Sequence, residues 1–151
     1  MNSDFKELLL ALSAREVRFL VVGGYAVIHY SQPRFTKDLD LWLDPSGINA
    51  RRFVQALGEF GAPLLDITEA DFAVPGTQYV LGRPPVQIDF LTALPGLDFD
   101  VCWDAREEAE VEGVRIPYIG RRHLVCAKKN AGRHQDLADL EEMEKSAGGE
   151  G

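Results

Sequence analysis

Apolar residues at Phe5, Leu8, Leu9 and Leu12 carry the spacing of a helix with one buried face, and Asp4 with Glu7 stands where a capping box would start it. The pattern then changes. Phe19 to Val22 is a short unbroken apolar run, as in a buried strand, and YAVIHY beyond Gly23 and Gly24 has the length of a helix. Asp38 to Leu43 alternates as a strand does, and ARRFVQALGEF, after the Asp44-Pro45-Ser46-Gly47 turn, reads as a helix closing near Gly61. From Pro63 to Gly82 the pattern is weak, with one strand expected near Gln78 to Leu81. PVQIDFLTAL is a strong strand, AEVEGVRIPYI a hairpin about Glu112 and Gly113, and two helices follow, from about Arg121 to Ala131 and from about Gln135 to Lys145. Strands and helices interleave without a strict βαβ rhythm. The expectation is an α+β (mixed α/β) fold, one domain over residues 1–145 with a central mixed β-sheet flanked by helices, and a flexible tail at 146–151.

Composition narrows the class. The chain has 151 residues, 46% of them hydrophobic and 26% charged, as expected of a single folded domain. A net charge of -8 with no basic face disfavours broad nucleic-acid binding, since phosphate neutralisation supplies most of that affinity. No apolar run approaches the length a bilayer needs, so no membrane span is expected. Cys102 and Cys126 lack CxxC spacing and MNSDFKELLLALSAREV does not read as a signal peptide, which together predict a cytoplasmic protein with free thiols.

The chemistry lies in LDLWL. On a strand, Leu39, Leu41 and Leu43 point to one face while Asp38, Asp40 and Trp42 point to the other. That places two carboxylates about 7 Å apart along one face. QIDFL repeats the arrangement, with Asp89 between Ile88 and Phe90. If the two strands are neighbours, three carboxylates converge. At roughly 6 Å and an effective dielectric of about 20, each like pair costs on the order of 3 kcal/mol, so the cluster calls for a divalent cation. Oxygen ligands point to Mg²⁺ or Mn²⁺, and none of the three histidines has a zinc spacing. Taken alone, a DxD pair also fits solvated aspartates at a strand end.

Gly23 and Gly24 fall where the FLVV strand gives way to a helix. A helix N-terminus offers unpaired N–H groups, and glycine lets a phosphate approach them; a tight turn needing positive φ is the competing explanation. Neither a Rossmann GxGxxG nor a Walker loop is present.

The combination of GG at a strand-helix junction, DLD after 13 intervening residues (Tyr25 to Lys37) and a later lone Asp in an apolar strand resembles the nucleotidyltransferase fold of the DNA polymerase beta superfamily. GGYAVIHYSQPRFTKDLDLWL is similar to small bacterial members, among them the AbiEii-type toxins and the aminoglycoside and lincosamide nucleotidyltransferases. LVCAKKNAGRHQDLADLEEM resembles the ending of AbiEii-like proteins.

The resemblance implies an Mg²⁺-dependent enzyme that moves NMP from an NTP to an acceptor: a protein, a tRNA end or a small molecule. It assigns Asp38, Asp40 and Asp89 to catalysis and metal binding, and Gly23 and Gly24 to the nucleotide phosphates. Many members carry Ser at the second glycine, where Gly24 offers only backbone. Lys37 reads equally as a phosphate contact or a solvated side chain, and Arg34 as a nucleotide cover or plain surface. Lys128 shares a helical stripe with Leu124, Ala127 and Ala131, from which it either snorkels or reaches an anion; the resemblance favours nucleotide binding. Arg133, Asp136 and Asp139 orient that segment or form ordinary helix ion pairs. Trp42 belongs to the core or stacks on a base. The acceptor surface is expected within Pro63 to Gly82. Partners implied are the NTP, an acceptor, and either a toxin or antitoxin protein or a second copy. The alternatives are a catalytically silent binding module of the same fold and a DxD glycosyltransferase, whose usual domain is larger.

Overall fold

The computed structural model describes residues 1–33, 35–36 and 38–149. Within them the chain runs α1 (Ser3–Ala14), β1 (Phe19–Val22), α2 (Gly23–Tyr30), β2 (Asp38–Leu43), α3 (Gly47–Phe60), α4 (Glu69–Phe72), β3 (Gln78–Arg83), β4 (Val86–Leu91), α5 (Phe99–Asp104), β5 (Glu107–Val111), β6 (Val114–Tyr118), α6 (Arg121–Ala131) and α7 (His134–Gly149). The strands form one mixed sheet in the order β3-β4-β2-β1-β6-β5. β2 and β4 pair in parallel, as do β1 and β6, and the remaining neighbours are antiparallel.

The alternation of β2 decides what covers each side of the sheet. Leu39 lines an apolar cavity together with Phe5 and Leu9 of α1, while Trp42, on the aspartate face, is fully buried with its ring edge-on to Phe99 of α5 at 5.1 Å. Trp42 is therefore core and is closed to a base. On β4 the same alternation buries Ile88 and Phe90. Phe90 packs against Phe53 of α3, which in turn meets Phe72 of α4. Buried side chains of this kind contribute about 1.5–3 kcal/mol each relative to exposure, so the two strands are anchored from their apolar face.

Three details differ from the pattern-based expectations. The cap of α1 is Asn2, whose side chain accepts from the Asp4 and Phe5 N–H groups, and the Asp4–Glu7 box is not used; Asn is as good a cap and starts the helix two residues earlier. The weakly patterned stretch holds the single turn α4, capped by a box between Thr68 and Asp71, too short to show a period. Helix α5, capped by Asp98, likewise passes unannounced by periodicity. The hairpin turn falls at Glu112 and Gly113, both with positive φ, as a two-residue turn between twisted strands requires.

Candidate active site

Register brings the aspartates together. In the parallel pair of β2 and β4, Asp40 lies opposite Asp89 and Asp38 opposite Gln87. Neighbouring strands are about 4.8 Å apart, and the Asp40 and Asp89 carboxyls are within hydrogen-bonding reach of each other. Burial, the Asp89 carboxyl and the Asp38 charge push Asp40 up to about 7, with Lys128 pulling the other way. Gln87 Nε2 donates to Asp89 Oδ1 at 3.1 Å and reaches Asp38 Oδ2 at 3.5 Å. Asp44, the third aspartate of DLDLWLD, is engaged by Arg18 at 2.9 Å and by Ser46 and does not line the cleft.

The first glycine is required by the second aspartate of the pair. Val22 lies opposite Asp40 across β1 and β2, so Gly23 starts α2 directly beside that carboxylate. Gly23 has φ +66°, and a Cβ there would lie 2.0 Å from Asp40 Oδ2 and 2.9 Å from its Cγ. Any side chain would displace the carboxylate. The first turn of α2 has no side-chain cap, which leaves its N–H groups available to an anion. Gly24 is the next residue of that turn, but it is not among the residues lining the cleft.

The cleft itself has a volume of about 420 Å³. Gly23, Asp38, Asp40 and Asp89 line it, together with Gln78, the contribution of the segment in which an acceptor surface was expected. Its opposite wall is α6 and the start of α7, where Lys128 and Arg133 line the space. Lys128 is buried, its Nζ 3.1 Å from Asp136 Oδ1 and 3.0 Å from Asp139 Oδ2. Arg133 binds Asp136 through Nε (2.7 Å), Nη2 (3.3 Å) and its backbone N–H (3.1 Å). These bonds hold Asp136 below the usual carboxylate range although burial opposes it. One wall is thus acidic, and the facing wall carries Lys128 and Arg133 held by Asp136, which also lines the space, and by Asp139.

Lys37 and Arg34 lie outside the described residues. A roomier recess of about 780 Å³ at the other end of α2 contains none of the sequence-predicted residues. Its charges are engaged locally: His29 with Glu107 at 3.3 Å, and Arg121 with the Tyr30 and Met143 carbonyls. Two polar residues that engage the site were not assigned to it by sequence: Gln87, through its bonds to Asp38 and Asp89, and Arg133, which lines the cleft. Gln87 is signalled by its position two before Asp89, which puts it on the same strand face. Arg133 was expected to orient its segment or to form ordinary helix ion pairs.

The cleft's donors suit a hard divalent cation. They are all carboxylate oxygens, Asp38 Oδ1 is buried without a hydrogen-bond partner, and the missing Cβ of Gly23 leaves Asp40 its space. Among the described residues, however, no three His, Cys, Asp or Glu side chains form a ready-made cation site, and the Gln87 amide engages two of the carboxylates.

Residues 1–150 match the family model described as "Nucleotidyl transferase of unknown function (DUF2204)". Among solved structures, the chain is similar to TM1012 of Thermotoga maritima, described as a nucleotidyltransferase, with TM-score 0.63, 14% identity, and 93% of this chain and 90% of that one covered. It is also similar to the lincosamide antibiotic adenylyltransferase LnuA in its lincomycin-bound structure, with TM-score 0.61, 14% identity, and 95% and 96% covered. At this identity the structural likeness is one of fold. No match was found among curated proteins. Among the described residues no helix is long and apolar enough to cross a membrane.

Proposed function

The chain belongs to the nucleotidyl transferase family DUF2204, and from that premise we propose that it transfers NMP from an NTP to an acceptor hydroxyl, with release of pyrophosphate, in a reaction that depends on Mg²⁺ or Mn²⁺. The observation that carries this reading is the in-register placement of Asp40 and Asp89 on parallel strands, facing Lys128 and Arg133 across one cleft. Asp38, Asp40 and Asp89 would hold the cation, which when bound supplies Lewis-acid stabilisation of charge on the phosphate oxygens.

The chain's own residues divide the remaining work. The uncapped first turn of α2, opened by Gly23, receives phosphate oxygens through backbone N–H groups. Lys128 and Arg133 offset phosphate charge from the opposite wall, and because Asp136 and Asp139 hold them in place, little ordering is needed when the nucleotide arrives. Asp89, on the cleft floor, takes the proton of the acceptor hydroxyl. Gln78 lies at the rim of this space, where the acceptor would enter.

The test is calorimetric titration of each NTP into the protein with Mg²⁺ and then with EDTA, using Asp38→Asn and Asp40→Asn as controls. Metal-dependent binding lost in both variants is expected, followed by transfer of labelled NMP to an acceptor from cell extract. Nucleotide binding indifferent to EDTA and to both substitutions would remove the site from the reading. Binding of no NTP at all would favour the silent binding module.

A further inference from the structure

Asp38 and Asp89 are joined by one neutral side chain. Register sets Gln87 directly across from Asp38, and its position two before Asp89 sets both on one strand face. From there a single amide nitrogen serves two acidic oxygens, Asp89 Oδ1 at 3.1 Å and Asp38 Oδ2 at 3.5 Å. The remaining oxygen of Asp38 is buried without a hydrogen-bond partner. The cluster is therefore partly satisfied by Gln87 and partly unsatisfied.

We infer that Gln87 is a positioning residue that stands in for the cation in the metal-free protein and sets the threshold of cation binding. The inference rests on the metal-dependent reading above. An amide N–H pair spreads two carboxylates across itself and stabilises their charges, but more weakly than a divalent ion would. For the same carboxylates to take a cation, the amide must give up these bonds, so part of the cation's binding energy is spent on displacing it. The bonds exist only in the metal-free state. Removing the amide therefore raises the energy of that state and leaves the metal-bound state with one competitor fewer. The consequence has an unusual sign: loss of a polar side chain from the site strengthens cation binding.

Gln87→Ala removes the amide, and Gln87→Leu removes it while retaining bulk, so the two separate hydrogen bonding from steric exclusion. Binding of Mn²⁺ alone to the full chain is followed through the electron paramagnetic resonance signal of free Mn²⁺, with thermal unfolding in EDTA recorded in parallel. Both variants are expected to bind Mn²⁺ on the order of tenfold more tightly, the factor that one hydrogen bond to a charged group is worth, and to melt earlier in EDTA. Affinity equal to or weaker than that of the unaltered chain in both variants overturns the inference and leaves the metal site standing; a weaker value identifies Gln87 as a ligand through its carbonyl. Tightening in Gln87→Ala but not Gln87→Leu overturns it in favour of simple crowding. Absence of Mn²⁺ binding by the unaltered chain overturns the metal reading itself, and this inference with it.

Discussion

Replacing Asp40 by Asn should abolish nucleotide transfer and, in the absence of metal, make the protein more stable. In the folded chain burial and the neighbouring carboxyls raise the Asp40 pKa from 3.8 to about 7. A raised carboxyl pKa means that the folded state holds the proton more tightly than the unfolded state does, so ionisation costs stability. The cost is absent below about pH 3.8, grows between there and pH 7, and is complete above it. About three pH units at 1.36 kcal/mol each set an upper bound near 4 kcal/mol. Partial solvent contact of the carboxylate lowers this to about 2–4 kcal/mol. For a chain of this length each kcal/mol moves the melting temperature by about 3 °C, so Asp40→Asn should melt about 6–12 °C higher at pH 8 in EDTA. Scanning calorimetry between pH 4 and 8 tests this, with the advantage vanishing toward pH 4. Adding Mg²⁺ should then raise the melting temperature of the unaltered protein alone. A gap that does not depend on pH, or a variant less stable at pH 8, would refute the electrostatic account of the cluster.

Gly23→Ala combines a positive φ with a contact that displaces the Asp40 carboxylate; we expect a cost of about 1–3 kcal/mol and a loss of NTP affinity of at least about tenfold, read by thermal unfolding and calorimetric titration. Asp136→Asn removes the buried carboxylate shared by Lys128 and Arg133 while Lys128 keeps Asp139, and should cost about 1–3 kcal/mol at pH 7 in urea unfolding. Because Asp136 has a lowered pKa, its contribution is present above the ordinary carboxylate range and is lost as pH falls through the folded-state value. The difference between Asp136→Asn and the unaltered chain should therefore shrink in acid, and a constant difference would exclude the ion pair as its source.

Much of the fold was legible because most of its elements are amphipathic with long, regular periods. α1 shows its buried stripe at Phe5, Leu8, Leu9 and Leu12, and β2 and β4 show a period of two with Asp38, Asp40, Gln87 and Asp89 at polar positions. α4 and α5 did not register because elements of four and six residues are too short to repeat a period. Trp42 could not be placed from its strand face alone. That face is open at Asp38 and Asp40 and closed at Trp42, where Phe99 covers it, a contact made by a segment more than fifty residues downstream.

By itself the sequence determined which residue types share a strand face and where a helix N-terminus follows a strand, since both are consequences of backbone periodicity. It thereby named Asp38, Asp40, Asp89 and Gly23. Only the tertiary structure decided that β2 and β4 are neighbours and in register, that Gly23 is required by the position of Asp40, and that Gln87 bridges two carboxylates. It also decided that Lys128 is fixed by Asp136 and Asp139 on the far wall. The physical reason is that side-chain direction is a local property of the backbone, whereas strand order, register and the distance between charges are set by the packing of the whole chain.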